Sequence, residues 1–115
     1  MGFKINSREK GNVGIIMVEG DIDMFTSPGL RDRLVPMFSK GLNGIIVNLS
    51  GVSFMDSSGI ATLVEGLQWS KKEDKAFILT GLGENVMNAL SLTKLEKVFT
   101  IEEDTDTAFA SLSES

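Results

Sequence analysis

The run Ile45-Ile46-Val47-Asn48-Leu49 constrains the fold more than any other stretch of the chain. It is almost wholly apolar and mostly β-branched, so a strand built from it needs cover on both faces, which a parallel sheet flanked by helices provides. The chain then bends through polar Ser50-Gly51 and reaches Asp56-Ser57-Ser58-Gly59. Beyond these residues an apolar stripe at Ile60, Leu63, Val64 and Leu67 repeats at helical spacing. The polar run therefore sits at the start of a helix, which the pattern extends to about Lys72.

The flanking segments fit the same architecture. Phe3-Lys4-Ile5 alternates like a short edge strand, Arg8 to Asn12 is turn-like, and Val13 to Val18 is apolar on both faces, which predicts an opening hairpin. Ser27 is placed to cap a helix and Pro28 to take its first position, with Leu30, Leu34, Met37 and Phe38 on one face. Pro36 within that pattern predicts a kink or an early end. Ala76 to Leu79 reads as a further strand after the charged bend Lys71 to Lys75. Gly81-Leu82-Gly83 then leads into a helix carrying Val86, Met87, Ala89 and Leu90. A short last strand is expected near Phe99 and Ile101, and a last helix with Ala108, Phe109 and Leu112 on one side. Trp69 lies off the Ile60 stripe and is read as a flank of the core. The whole is an α/β chain of one domain over 1–115, with a mixed, largely parallel sheet of four to five strands and about four helices.

Composition narrows the chemistry. The 115 residues include neither Cys nor His, which excludes disulfides, thiolate or imidazole metal sites, serine–histidine–acid catalysis and histidine phosphorelay. The formal net charge of −5, with no basic cluster longer than Lys71-Lys72, argues against direct nucleic-acid contact and favours a basic protein partner. No apolar run approaches the roughly 20 residues of a membrane span, and the first residues lack a signal-peptide core, so cytoplasmic residence is the expectation. Nothing in the pattern calls for a metal or a cofactor.

At the start of a helix the first N–H groups lack internal partners and carry partial positive charge, so a capping oxygen or a phosphate is stabilised there. One residue suffices as a cap, yet Asp56, Ser57 and Ser58 offer three, and Gly59 adds no side chain that would block approach. Loops following adjacent parallel strands emerge at one edge of a sheet, so Asp23 in the turn Gly20-Asp21-Ile22-Asp23 is expected on the same partner-facing surface. The alternative is that Asp23 only caps the chain ahead of Ser27.

Phe54-Met55-Asp56-Ser57-Ser58-Gly59 behind its strand, together with Gly20-Asp21-Ile22-Asp23 behind another, resembles the bacterial anti-sigma factor antagonists, which are single STAS domains. The resemblance covers essentially the whole chain, with Ala61 where relatives often carry a further glycine. It implies a non-enzymatic phospho-switch that binds an anti-sigma factor serine/threonine kinase when unphosphorylated, so freeing a sigma factor. Phosphorylation releases it and a phosphatase resets it. By position the phosphoacceptor falls on Ser57, and Asp23, Asp56, Ser58 and Gly59 fall at the partner surface. Two other readings stand beside this one. One is an adaptor subunit of a membrane transport system. The other is a receiver-like domain phosphorylated on aspartate, with Asp21, Asp23, Asp56 and Thr80 forming an acidic pocket. A hydrolase is disfavoured, since the serine lacks both a Gly-x-Ser-x-Gly elbow and a histidine.

Overall fold

The computed structural model describes residues 2–113. Five strands, β1 (Lys4–Lys10), β2 (Val13–Glu19), β3 (Gly44–Gly51), β4 (Ala76–Thr80) and β5 (Thr100–Glu102), form one sheet in the order β1-β2-β3-β4-β5. β1 is antiparallel to β2 and every other pairing is parallel. The helices are α1 (Ser27–Leu34), α2 (Ser57–Lys72), α3 (Glu84–Leu92) and α4 (Thr105–Ser113).

The double-sided strand signals find cover on both sides, unequally. Ile16, Val18, Ile45, Val47, Leu49, Phe77 and Leu79 face the larger core, which α1, α2 and α3 close with Leu30, Leu34, Ile60, Leu63, Val86 and Leu90. The alternate residues Val13, Ile15, Ile46 and Ile78 meet α4 alone, through Ala108 with Phe109 and Leu112 beside it. This division follows from strand alternation, because successive side chains of β2 and β3 leave opposite faces of the sheet. Trp69 flanks the larger core, its ring 6.3 Å from that of Phe38.

Three local expectations are corrected. β1 runs to Lys10, so the turn is only Gly11-Asn12, with Gly11 at φ 60. Arg8, Glu9 and Lys10 look turn-like because an edge strand with an exposed face carries charge freely. β3 likewise continues through Ser50 and Gly51 before it turns. The N-cap of α1 is Thr26, and Ser27 is a buried first-turn residue. Pro36 acts as expected, since α1 stops at Leu34 and the chain continues as a 3-10 turn over Val35–Ser39. The missing proline N–H and the ring's clash with the preceding turn end the regular helix.

Leu63 projects from the middle of α2 into the larger core and is fully buried. Leucine and alanine have similar helix propensities, so Leu63→Ala isolates packing. It should lower the unfolding free energy by about 2–5 kcal/mol in urea titrations.

Candidate functional site

The pairing of β2 with β3 does not stop where the strands end. Gly20 donates to the Gly51 carbonyl at 3.0 Å, Ile22 to Phe54 at 2.9 Å, and Asp56 to Ile22 at 3.0 Å. Ile22 and Met55 form a further parallel bridge. The two loops thus leave one edge of the sheet as a stitched pair, and this brings Asp23 next to the segment Asp56 to Gly59.

Asp56 is the N-cap of α2. It has extended backbone at φ −95, and its carboxylate accepts from the Ser58 N–H at 2.9 Å and the Gly59 N–H at 3.4 Å. The Ser58 hydroxyl donates to the same oxygen at 2.5 Å. That hydroxyl bond is the main reason the Asp56 carboxyl sits below its ordinary value. Partial desolvation opposes it, while backbone donors, with Met24 among them, add to it. Ser58 is therefore committed to the cap, and its carbonyl also accepts from the Thr62 hydroxyl at 3.1 Å. Ser57 differs from it in exposure and in hydrogen bonding. It is exposed, and among the described residues no group hydrogen-bonds to its hydroxyl.

Gly59 faces inward and is buried. A Cβ there would lie 2.6 Å from Met55 Cγ and 2.7 Å from Ile22 Cγ2. The missing side chain makes room for the two stitched loops; it does not open a path from solvent. Asp23 holds its own loop, its carboxylate accepting from the Phe25 and Thr26 N–H groups at 2.9 and 3.1 Å. Its N–H donates to the Thr26 hydroxyl at 2.9 Å. The capping role is real, and it coexists with a place at the same edge as Asp56.

The turn that Asp23 builds displays residues that periodicity did not single out. Met24 and Phe25 are 67% and 84% exposed, and Phe54 on the neighbouring loop is 49% exposed. Three large apolar side chains in turn segments, outside any period of 2 or 3.6, were the available signal.

The receiver-like pocket is not formed. A hairpin opens the sheet, and its order is sequential where a doubly wound order was required. Asp21 accepts from the Ser53 hydroxyl at 3.2 Å, and Thr80 is buried against Thr105 on the α4 face. Among the described residues no three His, Cys, Asp or Glu side chains are grouped to hold a metal ion.

A small α/β domain with a serine presented at a capped helix start, beside a second acidic turn, defines the class, and sequence comparison agrees with it. The STAS domain model matches residues 4–108, and the chain belongs to that family. An anti-sigma-B factor antagonist of Staphylococcus epidermidis is 33% identical over 91 residues, spanning 79% of this chain and 84% of the relative. One from Staphylococcus aureus is 29% identical over 106 residues, covering 92% and 98%. In fold, the chain is similar to an anti-sigma factor antagonist of Mycobacterium paratuberculosis, with a TM-score of 0.88, 24% identity and coverage of 97% and 95%.

Two consequences of this geometry are measurable. Gly59→Ala gains less than about 1 kcal/mol of helix propensity and incurs overpacking of about 1–3 kcal/mol against fully buried Ile22, so a net loss of stability should appear as a lower denaturation midpoint. Asp56 should titrate below the ordinary 3.8, and the Ser58 and Gly59 amide proton shifts should follow it together with one midpoint. Because its folded value is depressed, its stabilising contribution is complete above about pH 4 and fades as pH falls through the folded value. In Asp56→Asn both amides should lose that titration.

Proposed function

We propose that this chain is an anti-sigma factor antagonist acting in the cytoplasm, and that Ser57 is its phosphoacceptor. The observation that carries the assignment is the contrast between the two serines: Ser57 is exposed and free, while Ser58 is bound to Asp56. A kinase needs a hydroxyl that can align with the terminal phosphate of ATP, and displacing Ser58 from its cap would first cost hydrogen bonds to a charged group. In the unphosphorylated state the chain docks on an anti-sigma factor serine kinase and thereby frees a sigma factor. The Ser57 oxygen then attacks the γ-phosphorus, the bond to ADP breaks, and the hydroxyl proton passes to a base of the kinase or to water.

The products explain release. Phosphoserine, carrying about −1.5 to −2 charges, is left facing the nucleotide phosphates from which it came. At ~4 Å and an effective dielectric near 20, each pair of unit like charges costs on the order of 4 kcal/mol, about a thousandfold in affinity. The helix dipole, which favours the same phosphate by about 0.3–1 kcal/mol, is too small to offset this and acts equally in free and bound chain. A phosphatase restores the hydroxyl. A transport-system adaptor with this fold requires no such cycle.

Incubation with ATP and each serine-kinase anti-sigma factor of the source organism, followed by mass-spectrometric mapping, tests the reading. Phosphate is expected on Ser57. Ser57→Ala should remain bound to the kinase after ATP is added, and Ser58→Ala should still be labelled. Phosphate on Ser58, with Ser57→Ala still accepting it, would refute the assignment.

A further inference from the structure

We infer that Phe25 is the anchor of the docking surface, and that it enters an apolar pocket rimmed by lysine or arginine on the anti-sigma kinase. This rests on the function proposed above and specifies what the partner must look like.

A phenylalanine at 84% exposure leaves most of its ring in water, and removing that apolar surface from water on docking is favourable. Exposure alone marks no site, and Leu92 is 85% exposed where α3 ends. The difference lies in where each residue stands relative to Ser57. Phe25 stands on a turn fixed at several points: its own N–H binds Asp23 at 2.9 Å, Ser27 N–H binds the Asp23 carbonyl at 2.8 Å, and the Thr26 hydroxyl binds the Asp21 carbonyl at 2.8 Å. An apolar side chain on a fixed turn loses little backbone freedom on binding, so more of its burial appears as affinity. Leu92 lies next to the C-cap Thr93, at the far end of the helix that begins just after β4.

The turn also lies beside the acceptor. Ile22, just ahead of it, is bonded on both sides to the loop of Phe54 and Asp56, so the exposed Met24, Phe25 and Phe54 stand on the two paired loops that leave the sheet at the edge where Ser57 begins α2. Charge completes the description of the partner. A cleft of 360 Å³ opens next to Thr26 and is lined by Asp21, Asp23 and Ser53, large enough to accept a lysine or arginine head. Asp56 caps α2 beside these loops, and Glu19 at the end of β2 and Glu84 at the start of α3 lie at the same edge of the sheet, where the parallel strands end. β1 contributes Lys4 there, paired opposite Glu19. Acids around an exposed aromatic centre fit a pocket that is apolar within and basic at its rim.

The experiment measures binding of the full chain to the kinase that labels Ser57, by calorimetry without ATP, for wild type, Phe25→Ala, Phe25→Leu and Leu92→Ala. Phe25→Ala is expected to weaken binding about thirtyfold, with an unchanged melting temperature; Phe25→Leu should recover most of the loss, and Leu92→Ala should match wild type. Wild-type affinity in Phe25→Ala overturns the anchor while leaving the antagonist reading in place. Equal losses in Phe25→Ala and Leu92→Ala also overturn it, since the effect would then be unspecific. Absence of wild-type binding to every serine-kinase anti-sigma factor overturns both readings.

Discussion

The three hydrogen bonds that extend the β2–β3 ladder beyond the strands are what the rest of the site depends on. Two of them use both backbone groups of Ile22, which donates to Phe54 and accepts from Asp56. Ile22 is itself fully buried, with its side chain against the position of Gly59. One residue therefore sets the spacing between the loops, the start of α2 and the limit on side-chain size at Gly59. The Gly20–Gly51 and Ser53–Asp21 hydrogen bonds reinforce the fixed relation it gives to what would otherwise be separate surface loops.

The cap illustrates how structure and function share residues without competing. Asp56 satisfies the orphan N–H groups of α2, and Ser58 keeps Asp56 charged and oriented. Both have a local structural task, which leaves Ser57 as the polar residue without one. The same division holds in the other loop, where Asp23 and Thr26 bond each other while Met24 and Phe25 are left outside. In each loop the residues that build the turn are polar and half-buried, and the ones displayed are free to meet something else.

The sheet's two faces are covered to different depths, and this determines where the site can be. Three helices and the larger core lie on one face, with α4 on a small cluster on the other. The serine is at the start of a helix belonging to the larger core, so its backbone is anchored by Ile60 and Leu63 in the first turns. As the proposed phosphoacceptor, a serine on such an anchored terminus would present one geometry to a kinase, whereas one on a free loop would have to be ordered each time.

The sequence by itself determined the class of fold, because runs such as Ile45 to Leu49 and stripes such as Ile60/Leu63/Leu67 carry periods that only one kind of packing satisfies. It also determined the helix start at Asp56, and the resemblance to STAS domains points to Ser57 as the acceptor proposed here. It did not separate Ser57 from Ser58 by physics, since the two are chemically identical and adjacent, and only the cap geometry decides which hydroxyl is occupied. The extent of β1 was hidden for a related reason: the charges of Arg8 to Lys10 suit an exposed strand as well as a turn, and pairing with β2 selects between them. Likewise Gly59 reads as open to solvent in one dimension and proves closed against Ile22 and Met55 in three. What stayed illegible was which of several possible neighbours a residue meets, and that is settled by the local cap at Ser58, by hairpin pairing along β1, and at Gly59 by the parallel strands that bring the two loops together.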